Sequence, residues 1–365
     1  MNKNLLSLVL LAGMSAAMYS CSKDDTSTTP VIPPSSGDTA YVLNGLIGSE
    51  AGTNAGNSVF VDLSTPTQTA VARTSWDLGF YCGSDYRVII NNTTGATAKA
   101  LTKTDISQVT AADTAGFSTV LVLGQGLGNF SIIDNVEGKV DSTVIATVSA
   151  TDASNYVYIV RPTNGAVSAE KDWYKVKITR SSNGYQLQYA KLSESTIKTA
   201  TISKDDTYNY KYFSFDNNAA ASVEPVKKAW DIEWTLTTYK ASATIPYTYS
   251  DFVYINNLGG VTAAELVYTA SGSLTAAEVA TAAYKNYTDS SGAINNTTFS
   301  SSKTIIGSNW RVASQSSTAV RADRFYVIKD AASNVYKLKF VSFAPTDGGT
   351  RGKPKFQFAL VKKGS

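Results

Sequence analysis

The residues able to do chemistry are few in this 365-residue chain, and their types exclude most reactions. There is no histidine, so no Ser-His-Asp or Cys-His constellation, no imidazole base and no zinc site of the usual kinds can be assembled. A carboxylate pair for glycoside cleavage stays formally open, but acids such as Asp205 and Asp206 fall in a turn between repeated segments and no cleft-like arrangement is legible in the sequence. The stretch "LVLGQGLGNF" carries Gly124, Gly126 and Gly128. However, Asn129 stands where a dinucleotide fingerprint needs its third glycine, and strand-like "FSII" follows where a helix must start. It reads as a β turn. No loop has EF-hand spacing. The chain reads as non-enzymatic, with no metal site and no assigned cofactor.

The chemistry that remains is lipid attachment at Cys21. Lys3 leads into "LLSLVLLAGMSAAM", an apolar run of 14 residues, short of the ~20 that a spanning helix needs. Residues 1–20 therefore read as a signal peptide. The following "MYSC" resembles a bacterial lipobox with Cys21 as the lipidated residue, and "SKDD" resembles a short surface-export tag. Residues 21–39 are rich in Pro, Ser and Thr and read as a flexible tether, reaching up to about 50 Å from a membrane. With Cys21 lipidated, Cys82 is the one thiol left and no internal disulfide forms. Its position on the Trp76 face of a strand reads as that of a buried, inert thiol.

Composition describes the frame. The 32 basic and 29 acidic residues leave a charge of +3 with no basic stripe, which argues against nucleic acid as a partner. The 21 Tyr, 13 Phe and 5 Trp suit pleated, half-buried surfaces and predict an all-β, mainly antiparallel fold with minor helix. A single core rarely extends beyond roughly 250 to 300 residues, so two domains are expected.

The sequence then repeats itself. "SWDLGFYCGSDYRVIINN" at 75–92 is matched by "AWDIEWTLTTYK" at 229–240 and "DFVYINN" at 251–257, the second copy having a hairpin 11 residues longer. Trp76-Asp77 aligns with Trp230-Asp231, and Asn91-Asn92 aligns with Asn256-Asn257. Each copy closes on three strands, ending in "YQLQYAKL" and "KFQFALV". This predicts two tandem β domains, 40–198 and 199–365. Period two puts Trp76, Leu78, Phe80 and Cys82 on one core face, and Trp230, Ile232, Trp234 and Leu236 on another. Asp77 and Asp231 point the other way and are expected to accept bonds that fix a neighbouring loop. Lys175, Lys177, Lys337 and Lys339 alternate with apolar residues and read as a solvated sheet face. Thr275 with Glu278 forms a capping box for a helix over 276–287, with Leu274 and Val279 as a staple. A weaker helical turn is expected in "TKTDISQV".

With the Trp-Asp strand, the Asn and Gly turn and the closing "YVIKD", "YKLKF" and "FQFAL" strands in place, the chain resembles the HmuY family of haem-binding lipoproteins. The likeness spans most of residues 40–365 and is strongest at 212–260 and 323–361. It implies a mostly β haemophore that passes haem to a TonB-dependent outer-membrane receptor. Haem-binding relatives supply two His, or in some cases two Met, as axial ligands. Here there is no His, and the methionines are Met1, Met14 and Met18, all inside the signal peptide. Tyr also ligates ferric haem, which makes Tyr268, Tyr284 and Tyr287 the candidate haem or ligand residues. The resulting expectation is an outer-membrane, cell-surface, HmuY-like lipoprotein. It would act as a non-enzymatic module in haem or nutrient acquisition without His or Met ligation, for haem or another small ligand. The alternatives are a surface module for a peptide, glycan or host protein with no haem activity, and a periplasm-facing or secreted location.

Overall fold

Apolar residues recur at every second position through much of the chain, and those runs form strands. The structure is a computed structural model describing residues 38–364 apart from 125, 166 and 315. The expected signal peptide, Cys21 and the expected tether through residue 37 lie outside the described residues. In chain order the first strands are β1 (Thr39–Val42), β2 (Asn57–Asp62), β3 (Thr67–Ala72), β4 (Leu78–Tyr81), β5 (Val88–Ile90) and β6 (Thr97–Ala100). Next come β7 (Tyr158–Arg161), β8 (Tyr174–Ser181), β9 (Gly184–Lys191), β10 (Lys198–Ser203), β11 (Tyr210–Ser214) and β12 (Ala219–Ala221). Then follow β13 (Ile232–Lys240), β14 (Pro246–Ile255), β15 (Thr262–Val267), β16 (Arg311–Ala313) and β17 (Thr318–Val320). The last are β18 (Arg324–Lys329), β19 (Val335–Ser342) and β20 (Lys355–Lys362). The helices are α1 (Phe117–Val120) and α2 (Ala276–Asn286). Pairing is antiparallel throughout these strands, so the fold is mainly antiparallel β as expected.

Two five-stranded sheets run β10-β9-β8-β7-β6 and β1-β20-β19-β18-β15, and two four-stranded sheets run β12-β11-β4-β5 and β3-β2-β13-β14. The orders correspond strand for strand, but the pairing crosses residue 198. β1 pairs with β20 at the far end of the chain, Thr39 opposite Phe358. β2 pairs with β13, Val61 opposite Ile232, while β11 pairs with β4, Phe213 opposite Leu78. The cores follow the pairing. One joins Leu43, Val59, Val61 and Leu63 to residues from Ile232 to Phe358, and the other runs from Leu78 to Phe215. The expected limits, 40–198 and 199–365, are therefore not the limits of the two cores. A repeat in sequence shows where a pattern recurs, but equivalent strands present equivalent edges, and the sequence does not say which edge each one takes. Residues 38 and 39, expected in the tether, belong to the folded part: Asp38 accepts bonds from Tyr284 and Gln357, and Thr39 starts β1.

The repeated motif has a local explanation. Asn91 Nδ2 donates to the carbonyls of Arg73 (2.7 Å) and Trp76 (2.8 Å). Asn256 Nδ2 donates to those of Lys227 (2.7 Å) and Trp230 (3.0 Å). Each Asn thus ties the turn after one strand to the backbone of the preceding Trp. The turns end at Gly95 (φ 70°) and Gly260 (φ 100°), where a left-handed backbone favours glycine. Asp77 Oδ2 accepts the Phe215 N–H (2.7 Å) and Asp231 Oδ2 accepts the Leu63 N–H (2.8 Å). Both bonds reach across residue 198, so the two acids fasten the crossed strands.

Three expectations are corrected by packing. Trp76 and Trp230 do not share a core with Leu78 and Ile232. They sit in a separate aromatic cluster with Phe60, Tyr212 and Val223, because the paired strands begin two residues later. Lys175 is buried with Nζ on the Val109 carbonyl, and Lys337 reaches the Tyr284 carbonyl, since loops and α2 cover those sheet faces. "FSII" forms a single 3-10 turn at Phe130–Ile132, capped by the Asn129 side chain, in place of a strand. Helix α2 starts at the Thr275–Glu278 capping box and ends one residue early, with Tyr287 as its C-cap. The weaker turn is a 3-10 turn at Ile106–Gln108.

Candidate functional site

The two four-stranded sheets meet at the Trp76 and Trp230 cluster, and a cavity of about 90 Å³ opens there. Its walls come from both: Trp76, Asn92, Tyr210 and Glu224 from one sheet and its loops, and Trp230, Glu233, Tyr254 and Asn257 from the other. Residues of the 133–143 loop and Lys303 complete it. Edge-on rings stiffen the walls, with Trp76 on Tyr212 at 4.8 Å and Phe60 on Trp230 at 5.1 Å between centroids. Asn92 spans the junction, donating to Thr237 Oγ1 at 2.6 Å. The 133–143 loop is pinned to the opposite sheet by Glu137, which accepts from Lys240, Tyr239 and Thr304. An open cleft of about 440 Å³ beside this loop shares Ile133 to Val136 and Thr143 with the cavity lining.

Three carboxyl groups line this interior. Burial pushes Asp134 up to about 7, against the N–H bonds it accepts from Ile90 (2.8 Å) and Val144 (2.9 Å). Glu224 is likewise pushed to about 7 by burial, against bonds from the Tyr210 N–H (2.6 Å) and Asn209. Burial also raises Glu233, which is opposed by Lys303 and by a bond from Ser58. The Lys303 ammonium lies 4.2 Å from the centre of the Tyr254 ring. Trp230 is buried, and its indole N–H has no acceptor among the described residues. Trp76, Trp230, Asn92, Asn256 and Asn257, which belong to the recurring Trp-Asp and Asn-Asn motifs, all line the cavity. Glu224, Glu233, Asp134 and Lys303 carried no motif, and only the strand crossing brings them together.

The candidate tyrosines lie elsewhere. Tyr268, Tyr284 and Tyr287 surround Phe325, with ring centroids 5.8, 5.4 and 5.7 Å from it. Phe325 itself is fully buried. The Tyr284 hydroxyl donates to Asp38 (2.9 Å), and that of Tyr287 bonds Thr297 Oγ1 (2.6 Å). Burial raises the pKa of all three, which disfavours the phenolate that iron would need. Tyr284 and Tyr287 fasten α2 to β18, and Tyr268, just after β15, packs on the same ring. Cys82 is also buried, its thiol held up by burial and its Sγ 3.5 Å from the Asp205 N–H.

Neither the junction cavity nor the tyrosine cluster fits haem. The chain has no histidine, its methionines lie at 1, 14 and 18, the Tyr284 and Tyr287 hydroxyls are engaged, and the junction cavity of about 90 Å³ is far below a macrocycle's requirement. Ligand sites for drug-sized molecules run to roughly 300–1,000 Å³. Among the described residues no group of three or more His, Cys, Asp or Glu is placed to hold a metal ion. No helix among them is long and apolar enough to cross a membrane. No curated protein and no solved structure matches the chain. The HmuY protein family matches residues 54–358, across both cores and the cavity between them, and the chain belongs to that family.

Proposed function

We propose that this chain is a cell-surface HmuY-family lipoprotein that binds a ligand without His or Met ligation of haem. It performs no catalysis. Cys21 carries the lipid, and residues 22–37 hold the folded body away from the outer membrane. Two HmuY-like units, marked by Trp76 and Trp230, exchange their first three strands, and the junction so formed is where a ligand is received. The observation that carries the reading is the family match over 54–358 in a chain without a single histidine. A TonB-dependent receptor is the partner class the family suggests.

Titration of the chain with ferric haem tests this. The expected result is no saturable Soret shift at micromolar haem, with Tyr284→Phe and Tyr287→Phe indistinguishable from the parent. A saturable shift abolished by either substitution would establish tyrosine ligation and overturn the proposal.

A further inference from the structure

The junction cavity is unbalanced in charge and in hydrogen bonding. Asp134, Glu224 and Glu233 face inward with Lys303 as the one interior cation, while Lys139 stands exposed at the rim. Burial in this interior disfavours the charged form of all three acids and raises their pKa values. On the donor side, the indole N–H of Trp230, one of the lining residues, is buried without an acceptor among the described residues. Aromatic faces from Trp76, Trp230 and Tyr212 add surfaces that attract a cation once water is displaced. The space corresponds to roughly three waters' share of liquid volume, enough for a ligand of a few heavy atoms.

We infer that this cavity receives a small protonated amine that also bears an oxygen acceptor. The ammonium group sits among Glu224, Glu233 and the indole faces, and the oxygen takes the Trp230 N–H. This inference rests on the reading of the chain as a binding module and names the ligand class of its site. Binding carries a proton signature. An ammonium placed beside the acids favours their ionised forms, so complex formation near neutral pH releases protons to the buffer.

The test is calorimetric titration of the full chain with ethanolamine at pH 7, in two buffers of different ionisation enthalpy. Saturable binding is expected, with a buffer-dependent heat corresponding to proton release. Glu233→Gln is expected to weaken affinity at least tenfold. Trp230→Phe, which keeps the ring and removes the N–H, should weaken it several-fold with an unchanged circular dichroism spectrum. 1-Propanol, which lacks the amine, should give no saturable heat. No saturable heat with ethanolamine would overturn the inference and leave a cavity that holds water only. Saturable binding without proton release, or unaffected by Glu233→Gln, would also overturn it. These failures leave the haem titration unchanged, whereas a Soret shift sinks the parent reading whatever ethanolamine does.

Discussion

The tyrosine cluster beneath α2 and the cavity between the four-stranded sheets are both aromatic and largely hidden, yet they treat their polar atoms in opposite ways. Around Phe325 the Tyr284 and Tyr287 hydroxyls have partners and the rings pack edge-on or stacked, so the cluster is closed. At the junction, three acids share one interior lysine and an indole N–H has no acceptor. Aromatic content alone does not distinguish a core from a site. The difference lies in the acids gathered at the junction, since an indole N–H without an acceptor among the described residues also occurs at Trp234 inside a closed core.

The comparison breaks most visibly at Phe325. Phe325→Ala removes the ring on which three tyrosines converge, and denaturant unfolding should show a loss of about 3–5 kcal/mol. If the cluster is structural, the folded variant keeps its ethanolamine affinity. An affinity loss matched to a small stability change would move the site to α2.

Glu224→Gln sharpens the other side. Because the folded pKa of Glu224 is raised to about 7 from its ordinary value of 4.5, its proton stabilises the fold at low pH. That contribution is fully present below about pH 4 and is lost as pH rises through about 7. Stability measured from pH 5 to 8 should therefore fall in the parent. The variant should fall less steeply, by up to about 1.4 kcal/mol per pH unit. Equal slopes would mean that Glu224 titrates normally.

Tyr284→Phe probes the smallest difference. It deletes the bond to Asp38 and should cost about 0.5–1.5 kcal/mol in denaturant unfolding. A loss of ethanolamine affinity in this variant would contradict the assignment of Tyr284 as a fastener.

Much of this was legible in the residues themselves. Period-two alternation located β8 and β19, the Thr275–Glu278 box located α2, and the paired Trp-Asp and Asn-Asn motifs located the two turns locked by Asn91 and Asn256. The strand crossing was not legible, because Val61 could extend the sheet of its own Trp-Asp strand as readily as that of β13; alternation is a local signal and edge choice is not. The site was hidden for the same reason. Glu224 and Glu233 lie far from Asp134 and Lys303 in sequence, and no spacing rule joins residues that meet through exchanged strands. The tyrosines misled because three-residue spacing on a helix describes a packing face as well as a ligand face.

The most direct test of the account is the set of five tryptophan indole N–H signals in a two-dimensional nitrogen–proton NMR spectrum, followed as ethanolamine is added. The account predicts that the Trp230 signal shifts most, Trp76 follows, and Trp173, Trp234 and Trp310 stay in place. Five unmoved signals, or movement confined to the other three, would contradict a ligand site at the junction.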